Sequence, residues 1–366
     1  MSDTKTVRAI RFHGQGDVRV EQVAAPDPVL GRSDVLLAPL FCGICGTDLH
    51  EFVAGPIVTP KEPNALTGAT LPQILGHEFS ARVLAVGEGV SSVAPGDRVS
   101  IQPLMGPDDD YYVRRGLVHL SETLGVVGLS WQWGGMGQRA VVQEKNVIKV
   151  PDALDDRQAA LIEPAAVAVY ALDRSRIKVG DTVLVSGLGP IGALTMLAAK
   201  AAGASRIFVS ETNPTRLALA RDLLPEAITI DPRSEDLAAI VRAHTESGVG
   251  VDAALECVGN EASFNGCIAA VRRQGVVVQV GLHTKRASVD PMVWALKDLS
   301  IEAVWCYPVQ IWPRIATMIA SGAFPVEKIV TSVIAMDDVV EKGFKELLDP
   351  AGRQLKVLVR IEESQA

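Results

Sequence analysis

The chain has 366 residues, 48% of them hydrophobic and 21% charged, with a formal net charge of −8. That length suits two domains rather than one core, and the composition is that of a globular chain. An acidic balance without a Lys/Arg block argues against a nucleic-acid partner, and the apolar runs are too short and interrupted to span a bilayer.

The stretch Met1–Arg11 has neither a long apolar run nor a small-residue cleavage site, so no secretory signal is expected. The cysteines Cys42, Cys45, Cys257, Cys267 and Cys306 are odd in number and scattered, a poor disulfide framework that points to the cytoplasm. Short β-rich segments then follow one another: Val7–Arg11, Val18–Val23, Asp34–Phe41, Ala81–Val86, Arg98–Gln102 and Arg139–Val142, separated by Gly and Pro. They predict a mainly β body with long loops, the longest running from Phe52 to Gly76.

Two motifs within that body carry metal-ligand chemistry. One is Gly43-Ile44-Cys45-Gly46-Thr47-Asp48-Leu49-His50 and the other Gly76-His77-Glu78. Thiolate, imidazole and carboxylate are zinc ligands, and a catalytic zinc takes three protein ligands and keeps one open position. Cys45 and His77 are two candidates, and Glu163, at the junction of the two halves of the chain, is a third. Each residue alone has a structural explanation: a lone Cys is commonly core packing, a lone His structural, and Glu78 an ion-pair partner. Cys42 and Cys45 form a Cys-x-x-Cys, but without a second pair or a thioredoxin-like context Cys42 is expected in the core.

After Pro164 the pattern changes. Strands are expected at Thr182–Ser186, Ile207–Ser210, Ala227–Ile230, Val251–Glu256, Val276–Val280 and Ser300–Val304. Helices are expected at Ile191–Ala202, Pro214–Leu224, Glu235–His244 and Glu261–Arg272. Such alternation predicts an α/β, doubly wound Rossmann domain with a six-stranded parallel sheet. The first strand runs into Gly187-Leu188-Gly189-Pro190-Ile191-Gly192, a Gly-x-Gly-x-x-Gly turn opening a helix, which is a dinucleotide fingerprint in this context. Its helix N-terminus offers N–H groups to a pyrophosphate. Glu211, ending the second strand, would hold ribose hydroxyls and repel a 2′-phosphate, which favours NAD over NADP, although Arg216 lies nearby. The expected cofactor contacts are Gly187, Gly189, Pro190, Ile191, Gly192, Glu211, Arg216, Val258, Val280, Gly281 and Leu282. The tail from Pro308 should hold two helices and a last strand, Leu355–Ile361, returning to the first domain. The expected domains are therefore 1–164, 165–305 and a returning segment 306–366.

These residues together resemble the medium-chain zinc alcohol dehydrogenases. The resemblance rests on Gly43-Ile44-Cys45-Gly46-Thr47-Asp48, Gly76-His77-Glu78, Gly96-Asp97-Arg98-Val99, Glu163-Pro164 and the glycine fingerprint, in that order. Glu163-Pro164 is similar to the sorbitol and butanediol branch. The segments Gly55-Pro56-Ile57, Leu66-Thr67-Gly68, Leu71-Pro72 and Leu75-Gly76-His77-Glu78-Phe79-Ser80 are similar to 2,3-butanediol dehydrogenases. The resemblance implies a GroES-like catalytic domain, NAD, and one catalytic zinc on Cys45 and His77, with Glu163 as third ligand directly or through water and Glu78 able to exchange with bound water or substrate. It implies that Thr47 takes the substrate hydroxyl proton and His50 passes it to solvent. The substrate would be a small secondary alcohol or vicinal diol and its ketone, with polyol, threonine-type or zinc-free reductase chemistry as alternatives. A homodimer or homotetramer is implied, with pairing along the edge strand near Ile301–Trp305.

One departure stands out. Where many relatives carry four Cys for a structural zinc, this chain has Pro107, Asp110, Val113 and Ser121, so no structural zinc is expected. Packing by Tyr111, Tyr112 and Leu117 is expected to hold that lobe instead. Trp131 and Trp133 would fill the lobe or shape the pocket, to which Thr47, His50, Phe52 and Cys306 are also assigned.

Overall fold

A computed structural model describes residues 5–362, in two compact units. The first comprises residues 5–163, Pro308–Ala320 and 330–362; the second comprises Pro164–Tyr307 and Ser321–Ile329. The segment from Pro308 onward is thus not wholly part of the first unit, because Ser321–Ile329 packs with the second.

The first unit is mainly β. Its larger sheet is built around strand Asp34–Gly43, which pairs antiparallel with Glu78–Val86, Lys356–Arg360 and Ala140–Gln143. Alternating burial along these strands turns one face into a core containing Val35, Leu37, Phe79, Val142, Val357 and Val359. The register matters for the site. Gly43 lies opposite Glu78 on one side and Leu358 on the other. Strands distant in sequence therefore end at one spot.

The sequence patterns left several elements unassigned. Helix Gly46–Ala54 follows directly on the central strand, and helices Asp156–Ala160 and Ile162–Ser175 close the first half. Strand Val330–Ala335 pairs parallel to Lys356–Arg360, and helix Pro291–Lys297 belongs to the second unit. The tail holds helix Trp312–Ala320 and a π-helical turn, Val339–Lys345, running into Glu346–Leu348.

The second unit is a six-stranded parallel sheet in the order Ile228–Ile230, Arg206–Ser210, Thr182–Ser186, Val251–Glu256, Val271–Gln279 and Ser300–Ala303. This is the doubly wound Rossmann order. Strand Val271–Gln279 starts five residues before the expected Val276, and helix Glu261–Ala270 stops correspondingly early.

Asp252 stitches three strands of this sheet together. Its carboxylate accepts the Thr182 N–H at 2.7 Å, the Thr182 hydroxyl at 2.8 Å and the Arg272 Nε–H at 2.8 Å. Burial alone would raise its pKa, but these donors and the guanidinium charge hold it below the ordinary 3.8. A depressed carboxyl stabilises the fold above its unfolded value and loses that contribution as pH falls through the lower folded value. Asp252→Ala should cost about 1–3 kcal/mol at neutral pH. Thermal melts across pH 2–7 should show a shallower loss of stability below about pH 4 than in the parent.

Candidate metal centre and nucleotide site

The metal candidates converge because of the strand register. Cys45 is the N-cap of helix Gly46–Ala54, two residues beyond Gly43 at the end of the central strand; Glu78 opens the neighbouring strand, and His77 precedes it. Ligand atoms of Cys45, His77 and Glu78 all lie within 4.8 Å of one another. His77 and Glu78 are buried and Cys45 is half-buried. Glu163, in the first turn of helix Ile162–Ser175, is buried but lies outside that compact set; its charge still acts on His77 and Lys356.

Two contributors were not assigned from sequence. Asp48, fully buried at the third position of the helix, accepts the Cys45 N–H through Oδ2 at 2.9 Å. Its Oδ1 lies 3.8 Å from His77 Nδ1, and neither atom has a hydrogen-bond partner among the described residues. Asp48 therefore faces the Nδ1 edge of the imidazole, the place of the usual second partner of a ligating histidine, and would leave Nε2 for an ion. Lys356, fully buried on the last strand, donates to the Ile44 carbonyl at 3.0 Å and pairs with Glu78 Oε2. A Cβ on Gly43 would overlap the Glu78 carboxylate, so the absence of a side chain there makes room for the pair.

The electrostatics suit a cation. Burial would lower the His77 pKa, but Cys45, Asp48 and Glu163 outweigh it and hold the ring well above 6.5. Burial would likewise lower Lys356, yet Glu78, Cys45 and Glu163 keep it above 10.5. Four acidic groups face a single lysine, and this thiol, imidazole and carboxylate set matches zinc.

Thr47 and His50 lie on the same helix, three residues apart and hence on neighbouring positions of its surface. Thr47 is half-buried, with its hydroxyl 3.8 Å from Cys45 Sγ, whereas His50 is exposed. Cys42 sits in the core, where burial drives its thiol pKa far up, as the core assignment requires.

Other assignments change. Trp133 is core, and Trp131 packs against the core while its indole N–H donates to the Val141 carbonyl at 2.7 Å. Phe52 meets Phe344 at a tilt, with ring centroids 5.2 Å apart. In the lobe, Tyr111 and Tyr112 are exposed and cannot provide its packing; they meet edge to face, with Arg115 over Tyr111. The lobe is tied instead by Asp110, which accepts the Tyr112 and Val113 N–H groups at 2.7 and 3.0 Å and the Ser121 hydroxyl at 3.2 Å. Three of the four positions aligned with thiolates are thus linked by ordinary hydrogen bonds.

In the second unit the glycine fingerprint has the shape a dinucleotide needs. Gly187 has φ +91° and abuts Val258 and Cys257; a Cβ on Gly192 would overlap the Gly187 carbonyl. A Cβ on Gly189 would instead project into open space, where a pyrophosphate can approach. Gly189 caps helix Pro190–Ala201 without a side-chain hydrogen bond, so the helix N–H groups remain available to phosphate oxygens. Glu211 is buried at the end of its strand, and its carboxylate accepts N–H groups from Leu188, Thr212 and Asn213 at 2.7–2.8 Å. Val258 and Leu282 present exposed apolar side chains beside the same turn, whereas Val280 is buried.

Residues 31–152 match the family profile described as "Alcohol dehydrogenase GroES-like domain", and residues 190–321 match "Zinc-binding dehydrogenase". The (R,R)-butanediol dehydrogenase of Bacillus subtilis (strain 168) is 37% identical across 97% of this chain and 99% of its own. The chain belongs to the medium-chain zinc alcohol dehydrogenase family. Human sorbitol dehydrogenase is also similar to this dehydrogenase, 31% identical over 96% of this chain and 95% of its own. The crystal structure of 2R,3R-butanediol dehydrogenase from Bacillus subtilis superposes with a TM-score of 0.90, covering 97% of this chain and all of that one at 37% identity. A dehydrogenase structure from Sinorhizobium meliloti with NADP bound gives 0.86 at 28% identity, covering 98% and 100%. Both halves of this dehydrogenase, GroES-like and Rossmann, are those of the family.

Proposed function

We propose that this dehydrogenase interconverts a small secondary alcohol or vicinal diol of the 2,3-butanediol class and its ketone, using one zinc and NAD per chain. The observation that carries the reading is the compact Cys45, His77 and Glu78 set with Thr47 at its edge. When bound, zinc supplies a Lewis acid for the substrate oxygen and NAD a hydride acceptor.

The remaining work falls to side chains. Cys45 and His77 would hold the metal, with Glu163 as the further ligand directly or through water and Glu78 able to exchange with bound water or substrate. Lys356 fixes the Glu78 carboxylate through Oε2 and would leave its other oxygen available to an ion. Thr47 takes the substrate hydroxyl proton, and exposed His50 delivers it to solvent. The hydrogen-bonded Asp110 lobe supports the reading that no structural zinc is bound. The free cysteines support a reducing compartment, the cytoplasm. Exposed Met292, Leu296 and Trp305 near edge strand Ser300–Ala303 support pairing of two chains along that edge.

The deciding experiment measures zinc per chain together with NAD reduction on 2,3-butanediol and on sorbitol. The expected result is about one zinc per chain and turnover favouring the diol. About two zincs would refute the metal-free lobe, preference for sorbitol would move the enzyme to the polyol branch, and turnover unaffected by a stripping chelator would end the zinc reading.

Glu211 supports NAD over NADP by charge. Arg216 Nε is buried without a hydrogen-bond partner among the described residues, and Arg233 lies within the field of Glu211. Glu211→Gln removes the repulsion and leaves Arg216 for a 2′-phosphate, while Arg233 stays paired with Asp231. The NAD-over-NADP ratio of kcat/KM should narrow by roughly tenfold, about 1.4 kcal/mol. An unchanged ratio would mean that another residue reads the ribose.

A further inference from the structure

The buried residues of helix Gly46–Ala54 are Asp48 and Glu51, both carboxylates. Asp48 serves the metal end of the helix. Glu51 lies three residues further on, outside the Cys45, His77 and Glu78 set. It is fully buried, and no cation pairs with it among the described residues. One stretch of loop meets it instead. Its Oε1 accepts the Val58 N–H and those of Ile57 and Thr59, at 3.2 and 3.3 Å. Its Oε2 accepts the Ile57 N–H at 3.0 Å and the Thr59 hydroxyl. Successive N–H groups turned toward one point form a concavity that holds an anion, and a carboxylate is buried at low cost only where such donors replace water. A Cβ on Gly55 would overlap both the carbonyl and the carboxylate of Glu51, so the loop closes tightly over it.

The carbonyls at this end of the helix are also taken up from outside it. The Gly55 N–H donates to the Glu51 carbonyl at 2.8 Å and the Gly16 N–H to that of Phe52, also at 2.8 Å. The Gln15 side-chain amide donates to the Val53 carbonyl at 2.7 Å. Carbonyls at a helix end have no partner within the helix, and such ends fray. Here loop Gly55–Thr59 and the turn between strands Thr6–Gly14 and Asp17–Ala24 hold the last turn from two sides. Glu51 takes part twice, through its carbonyl and its carboxylate. His50 is its neighbour in sequence. The His50 imidazole is exposed and makes no hydrogen bond among the described residues, so its place is set by the backbone that carries it.

We propose that Glu51 is a positioning residue of the proton relay: it anchors the helical turn next to His50 and so keeps that imidazole in reach of Thr47. The proposal rests on the reading that Thr47 and His50 move the substrate proton. An apolar side chain would fill the same space but leave the N–H groups of Ile57, Val58 and Thr59 unsatisfied, and the loop would release the turn.

The test is steady-state oxidation of 2,3-butanediol by the full-length, zinc-loaded protein with NAD, at fixed pH and ionic strength and rising HEPES concentration. The parent rate should not respond to the buffer. His50→Ala and Glu51→Ala should both slow turnover, Glu51→Ala by about tenfold, and the buffer base should restore most of each loss by taking the proton itself. Zinc content and NADH Kd should match the parent. Glu51→Gln, which keeps an acceptor oxygen for the loop, should stay within about twofold of the parent. Amide hydrogen exchange across residues 50–59 should quicken in Glu51→Ala and not in Glu51→Gln. Unchanged turnover in Glu51→Ala overturns the proposal. So does a loss that the buffer does not restore, since a merely structural role would not respond to an external base; the relay itself stands if the His50→Ala loss is restored. A His50→Ala enzyme that neither slows nor responds to buffer overturns the relay reading, and the proposal with it. If Glu51→Ala does not fold, Thr59→Val decides, because it removes the hydroxyl donor alone: a buffer-restored loss of about threefold is expected, and no loss overturns the proposal.

Discussion

Replacing Cys45 with alanine is expected to leave a folded, NADH-binding protein that has lost its metal. The thiolate is the softest ligand in the set and belongs to the cap of helix Gly46–Ala54, so its removal deletes charge at the site without opening the core. What remains is His77 and a Glu78 carboxylate already sharing one oxygen with Lys356, too few ligands for a tetrahedral ion. Zinc per chain should fall from about one toward zero, and turnover by at least about 10³-fold, since the Lewis acid contributes several kcal/mol. Metal analysis and steady-state rates on the same preparation check this. Full turnover in a metal-free Cys45→Ala protein would refute the chemistry proposed for the site.

The second large effect is expected at Lys356. Lys356→Met keeps the apolar stem and removes the ammonium, leaving Glu78 ionised in the core and the Ile44 carbonyl without its donor. Breaking a buried pair on one side costs about 3–5 kcal/mol, more than the pair itself contributes, because the abandoned charge stays desolvated. Denaturant unfolding should show a corresponding drop in midpoint with little change in slope. Adding Glu78→Gln should recover part of the loss by removing that charge. A Lys356→Met protein as stable as the parent would mean that Glu78 has another counter-charge.

The difference between what was legible and what was not follows from distance along the chain. Cys45, His77 and the glycine turn could be assigned locally, because each sits in a short segment whose residue types and neighbours constrain one another. The six parallel strands were legible for the same reason, as alternation of apolar runs with helical periods is a local signal. Lys356 was not, because it stands 278 residues from Glu78 and only the sheet register brings them together. A lone lysine inside the apolar strand Lys356–Arg360 was the available hint. Helix Gly46–Ala54 was hidden because its N-cap is Cys45 rather than Ser, Thr, Asp or Asn; the signal was Asp48 at its third position, reaching back to the Cys45 N–H. Tyr111 and Tyr112 misled because large aromatic residues suggest packing, whereas Asp110 organises that lobe through polar contacts.

The hydrogen-bonded lobe has a practical consequence. Zinc is a closed-shell ion without colour or magnetism, so its surroundings are hard to observe directly. In an enzyme whose fold also depends on a second zinc, stripping the metal endangers the protein. On the reading that Asp110 replaces that ion, chelation empties one site while the lobe keeps its shape. Cobalt can then be introduced at Cys45 and His77 alone, and its absorption would report the coordination of a single, unambiguous centre.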